Sequence, residues 1–167
     1  MGKQPDWREI VEKHQARVLR IAVRILGSVH DAEDVAQDVF VEAYQLHGRG
    51  GVEGWTGLLV RMATLRAIDR LRRARITRAI TDDARVTDAG PFEEAVAREL
   101  AQRLRCAVAQ LPDQQAAVFT LVVFEQMTRD EVATSLKVSP QAVSTALYKA
   151  RKQLMSELNV FEKGERP

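Results

Sequence analysis

Seven arginines and one acid lie in the run RMATLRAIDRLRRARITR, Arg61 to Arg78. On a helix, Arg66, Arg70 and Arg73 fall at i, i+4 and i+7 on one face, and a row of guanidinium groups suits contact with phosphates, which gives affinity without sequence information. A lone charge run is usually a solvated face; this one follows a glycine-rich loop, HGRGGVEG, which strengthens the nucleic-acid reading. Farther along, Gln141, Ser144, Thr145, Tyr148 and Lys149 are types that reach base edges and phosphates from a helix lying in a major groove. A third group has the opposite sign. In DAEDVAQDVFVEAYQL, residues Asp31, Asp34, Asp38 and Glu42 share one narrow helical sector beside an apolar face of Ala32, Val35, Ala36, Val39, Phe40 and Ala43. Four carboxylates with no rigid cage make a solvated or protein-docking face rather than a cation site.

Bond-making chemistry has no support in these residues. His14, His30 and His47 are dispersed, and there is no phosphate-binding loop, nucleophile elbow or metal-ligand pair, so no enzyme, cofactor or metal is expected. The single Cys106 has no thiol partner and reads as a small core residue. No apolar run approaches membrane-spanning length and Met1 is followed by polar residues, so a cytoplasmic home is expected.

The elements that must position these groups are helices throughout. Of the residues, 46% are hydrophobic and 29% charged, a globular composition. The apolar period is 3.6 almost everywhere, which predicts an all-α chain. A first helix opens at Pro5 and Asp6, with Glu9 placed for a capping box, and stops at Gly27. Asp31 is the expected N-cap of the acidic helix, and a third helix begins near Trp55. The segment TDDARVTDAGPFEE has no sustained period and reads as a linker. Next come a helix from Phe92 to Leu111, a break at Pro112 and an apolar helix through Phe124. In the last section, Thr128 with Glu131 forms a capping box, Ser139 and Pro140 start another helix, and Val138, Val143 and Leu147 supply a small core, as in a helix-turn-helix. Lys137 occupies the turn position that favours glycine, at a cost of about 1 kcal/mol. Two small helical domains on a flexible linker follow: residues 1–79, a linker 80–91, residues 92–161 with the helix-turn-helix, and a tail 162–167.

Taken in order, LRIAVRILGSVHDAEDVAQDVFVEAY, RMATLRAIDRLRR and LPDQQAAVFTLVVFEQMTRDEVATSLKVSPQAVSTALYKARKQL resemble the extracytoplasmic-function (ECF) sigma factors of bacterial RNA polymerase, over about residues 8 to 158. The resemblance implies that the acidic helix docks on the β′ clamp helices of core polymerase through Asp31, Asp34, Gln37 and Asp38. It implies that the loop His47–Gly54 and the helix Arg61–Arg73 separate the strands at the −10 element and capture an unpaired base, with His47, Arg49, Arg61, Arg66, Arg70 and Arg73 against DNA. It assigns the −35 element to Gln141, Ser144, Thr145, Tyr148 and Lys149, and a contact with the β flap to the same module. The partners implied are core polymerase, promoter DNA and, at family level, an anti-sigma factor. Three places depart from the family pattern: WTGLL stands for Phe-x-x-Trp-Leu, Ala63-Thr64-Leu65 stands for Ala-Arg-Asn, and the commonly basic recognition positions are Ser144 and Ala146. The rival reading is a stand-alone homodimeric helix-turn-helix regulator, which needs an apolar dimer seam that the polar NVFEKGERP does not offer.

Overall fold

The computed structural model describes residues 5–81 and 92–163, and among these every regular element is helical. The order is α1 (Trp7–Leu26), α2 (Val29–Arg49), α3 (Trp55–Thr81), α4 (Phe92–Ala109), α5 (Asp113–Phe119), α6 (Arg129–Leu136) and α7 (Pro140–Lys163). Most of the expected linker, 82–91, lies outside the described residues.

Helices α1, α2 and α3 form one three-helix unit. Its core gathers Val18, Ile21 and Ile25 of α1, Val35 and Val39 of α2, and Leu59, Val60, Ala63 and Ile68 of α3. Asp6 caps α1 through Arg8 N rather than through a reciprocal box with Glu9. Gly27 closes the helix at φ +68°, and a Cβ there would collide with the Arg105 guanidinium. The cap of α2 differs from expectation. Ser28, extended directly after the left-handed glycine, accepts from Asp31 N at 3.3 Å and takes the cap position expected of Asp31. Asp31 therefore sits in the first turn, with its carboxylate available to another helix.

The second unit is built on Val108, Leu111, Val118, Leu121, Val132, Val143, Leu147 and Ala150. The expected helix end at Leu111 comes two residues earlier, and the apolar helix through Phe124 is not uniform: Thr120–Phe124 is a single π turn. Thr120 Oγ1 donates back to the Ala116 carbonyl at 2.7 Å, a bond that draws on the helix's own acceptors where the ladder widens. The capping box of Thr128 and Glu131 is present in both directions, and Lys137 takes the left-handed conformation at φ 56°. Ser139 Oγ accepts from Ala142 N at 3.1 Å and starts α7. Cys106 is only half-buried, with its Sγ 3.9 Å from Gln102 Nε2.

The two units touch. Ser135 of α6 lies against Gly57 of α3, where the absence of a side chain lets the backbones approach. Arg24 donates to the Phe124 carbonyl at 2.6 Å and to Glu125 at 2.8 Å, and Arg20 reaches the same carboxylate at 3.3 Å. Arg72 donates to the carbonyls of Ala109 at 3.0 Å and Leu111 at 2.7 Å, and pairs with Asp113.

Candidate nucleic-acid interface

The acidic stripe and the arginine face, far apart in sequence, meet across α2 and α3. Arg70 donates to Asp31 at 2.8 Å and lies 3.5 Å from Asp34; one turn away Arg66 pairs with Glu42. The bond from Arg70 is the main reason the Asp31 carboxyl titrates below its ordinary range. The pairing with Glu42 likewise raises the Arg66 guanidinium. Asp34, expected to be exposed, is half-covered, whereas Gln37 and Asp38 remain in solvent. The arginines of α3 are thus not one open row: Arg73 pairs with Asp69 at 2.8 Å on its own helix, while Arg61 and Arg49 make no ion pair among the described residues. All these pairs are between a third and three-quarters exposed, a regime where each is worth about 0–1 kcal/mol and can be exchanged for another partner.

His47 is not an open hydrogen-bonding side chain. Its ring lies 5.6 Å from Trp7 and 5.7 Å from Trp55, and its Nε2 is 2.9 Å from the Pro5 carbonyl. Trp7 also meets Tyr44 at 5.2 Å and Phe40 at 6.2 Å, edge to face. Between His47 and Trp55 runs the glycine loop, with Gly50 and Gly51 at φ +74° and +83°.

The altered family positions have separate fates. Thr64 is fully buried and donates to the Val60 carbonyl at 2.8 Å, so it belongs to the core. Leu65 is 41% exposed, an apolar side chain on the surface where the family pattern carries asparagine. Leu58 packs against the core, as expected of a swap with the family's tryptophan.

On α7, Gln141, Thr145, Tyr148 and Lys149 are exposed at i, i+4, i+7 and i+8, which gives one continuous face, with Ser144 half-buried at its edge. Ala146 is buried and cannot face a base, so the altered basic position there is a core position in this chain. Arg151 and Lys152 extend the exposed basic end of the helix. No group of His, Cys, Asp or Glu among the described residues could hold a metal, and no described helix is long and apolar enough to cross a membrane.

Sequence reasoning missed Arg72, Arg20, Arg24 and Trp7. Arg72 was hidden because its acceptors are mostly main-chain carbonyls, and Arg20 and Arg24 because their partner, Glu125, lies about a hundred residues away. Trp7 sat among ordinary apolar positions of α1; only its aromatic neighbours set it apart.

Comparison with known proteins places this arrangement. Residues 10–77 match sigma-70 region 2, and residues 101–154 match sigma-70 region 4. The ECF RNA polymerase sigma factor SigE of Mycolicibacterium smegmatis is 30% identical over 159 residues, covering 92% of this chain and 62% of its own. The ECF RNA polymerase sigma factor SigW of Bacillus subtilis is 26% identical, covering 94% of this chain and 91% of its own. Among solved structures, CnrH in complex with the cytosolic domain of CnrY aligns at TM-score 0.59 with 21% identity, over 95% of this chain and 91% of that one. The sigma factor RpoE of Bartonella quintana, in complex with the anti-sigma factor NepR, aligns at TM-score 0.54 with 14% identity, over 93% and 98%. With regions 2 and 4 matched in order on the two helical units, the chain belongs to the sigma-70 family as a sigma factor of the ECF type.

Proposed function

We propose that this chain is a dissociable specificity factor: it binds core RNA polymerase, directs it to particular promoters and assists strand opening, while the polymerase performs the chemistry. The observation that carries the reading is the pairing of region 2 with region 4 in one chain, the latter presenting the exposed face Gln141, Thr145, Tyr148 and Lys149. A stand-alone homodimeric regulator is not favoured, because it gives no role to the region 2 unit.

In this reading Gln37 and Asp38, exposed on α2, meet the β′ clamp helices first. Asp31 and Asp34 join them as Arg70 is released toward DNA, an exchange of one half-exposed partner for another. The face of α7 reads the −35 element, and the loop after His47 with the arginines of α3 engages the −10 element. Binding energy from both contacts, held on one enzyme, offsets unstacking of the captured base. In this reading the polymerase supplies the acid, base and nucleophile chemistry, and the protein works with it in the cytoplasm. Two of the structural relatives are held by partner proteins, which supports an anti-sigma factor as a further partner.

The test is co-elution of the purified protein with sigma-free bacterial core polymerase on gel filtration, with Asp38→Arg as the variant. Wild type should co-elute and Asp38→Arg should bind more weakly with its helix content unchanged. Failure of the folded wild type to associate with matched core would reject the reading.

A further inference from the structure

The glycine loop is anchored by backbone hydrogen bonds at its two ends: Gly50 N–H donates to the carbonyls of Leu46 and His47, and the Gly54 carbonyl accepts from Leu58 N–H. A Cβ added at Gly48, in the last turn of α2, or at Gly50, Gly51 or Gly54 would meet nothing within 4 Å, so no neighbouring side chain packs over these positions. Gly50 and Gly51 hold positive φ, a conformation open to glycine at little steric cost, but glycine also gives the chain the most freedom to lose on ordering. A loop of this composition, left to itself, captures a ligand at a large entropic cost. What limits its freedom here is the placement of its two ends, the last turn of α2 and the first residue of α3.

Both ends are fixed on one side chain. The Trp7 indole lies 5.6 Å from His47, in the last turn before the loop, and 6.0 Å from Trp55, the first residue after it. His47 and Trp55 are themselves 5.7 Å apart. The strap is tied a second time, since His47 Nε2 lies 2.9 Å from the carbonyl of Pro5, two residues before Trp7. Phe40 and Tyr44 flank the indole on the α2 side, so its position is set by contacts along α2 as well. Trp7 reaches the loop ends from α1, which carries none of the residues assigned to DNA.

We propose that Trp7 is a positioning residue for strand opening: by clamping His47 and Trp55 together it fixes the span of the loop that captures the unpaired base. The proposal rests on the reading of residues 47–54 as the DNA-contacting loop. It separates two properties of the chain, attachment to polymerase and DNA duplex, which does not pass through Trp7, and opening, which does.

The experiment compares wild type, Trp7→Leu and Trp7→Phe as full-length protein. Amide ¹⁵N relaxation of Gly48, Gly50, Gly51 and Gly54 reports loop order in the free chain. Fluorescence of 2-aminopurine at the −10 element, on a promoter selected with the wild-type holoenzyme, reports opening with saturating core. Trp7→Leu should loosen the four glycine amides and slow opening about 10-fold or more, while core co-elution and duplex affinity stay within about 2-fold. Trp7→Phe, which keeps an aromatic ring between the two ends, should recover opening to within about 3-fold of wild type. Equal opening by Trp7→Leu and wild type overturns the proposal, and so does a parallel loss of core binding and opening, which marks a merely structural residue. Should Trp7→Leu not fold, His47→Gln, which takes the ring out of the cluster with Trp7 and Trp55, decides the matter through the glycine amides of the free chain: amides as ordered as in wild type would overturn it. A wild-type holoenzyme that binds core but opens no promoter rejects the DNA reading of the loop itself, an outcome distinct from equal opening by variant and wild type.

Discussion

In region 2 the charges are already spoken for. Arg66 and Arg70 bind Glu42, Asp31 and Asp34 of the neighbouring helix, so the facing parts of the two charged rows neutralise each other, while Asp38 and Arg49 stay in solvent at their margins. In region 4, α7 carries Gln141, Thr145, Tyr148 and Lys149 in solvent, with no ion pair to Lys149 among the described residues. On the proposed assignment of both faces to DNA, the difference separates two ways of meeting a polyanion. A face that is open and set by a small rigid core binds without rearrangement, whereas a face neutralised from within binds by exchanging partners, and gains discrimination because both new partners must be present.

The comparison can be broken most forcefully through the cores. Leu121 and Ile21 are both fully buried, one within the π turn of region 4 and the other in the core of region 2. Each cut to alanine should cost about 2–5 kcal/mol in urea unfolding followed by circular dichroism. The contacts of Arg24 and Arg72 across the units predict that both variants shift one shared transition; two separable transitions would show that the regions fold apart. A smaller effect sharpens the contrast within region 4. Thr128→Ala removes the hydroxyl that caps α6 and should cost about 1 kcal/mol. Lys137→Gly should do the reverse, adding up to about 1 kcal/mol of stability by relieving a left-handed lysine, measured as a raised midpoint in the same titration.

The smallest effect distinguishes the regions by pH. His14, buried in region 2, titrates below 6.5, first because burial disfavours its cation and then because Lys13 and Arg17 lie near. A histidine depressed in the fold is protonated more readily in the unfolded chain. Its contribution is therefore complete above 6.5 and is lost as pH falls below that value, toward the folded-state pKa. Asp31 acts in the same direction at lower pH, since its contribution is present above the ordinary carboxylate range and is lost as pH falls through its depressed value. In region 4 Glu131 is lowered by the Thr128 amide, so the cap should yield only under acid. A proton NMR titration of the His14 ring, alongside stability measured from pH 7 to pH 5, checks the order. Stability of a His14→Gln variant should be flatter across that interval.

The helices were legible because their signals are local: the Thr128–Glu131 box, Ser139 with Pro140, and the apolar spacing of α1 all act within a turn or two. The site was legible in part. Gln141, Thr145, Tyr148 and Lys149 were readable as one face because a single helix presents them. The partnership of Arg70 with Asp31 was not, since each was assigned a different external ligand and nothing in either helix reports the angle between them. The α2 cap was misplaced by three residues because both Ser28 and Asp31 are good capping types, and the left-handed Gly27 decided between them. The burial of Ala146, a commonly basic position in the family pattern, was hidden for a similar reason: it depends on where α7 rests against the rest of region 4.

The bonds of Arg72 have a bearing on modularity. Two of its three acceptors are the main-chain carbonyls of Ala109 and Leu111, and only Asp113 contributes a side chain. Any residue at 109 or 111 would offer the same oxygens, so paired substitutions between α3 and that turn would leave little trace of the contact. A chimera carrying a foreign region 4 would keep most of this joint provided that its turn had the same shape, whatever letters spelled it.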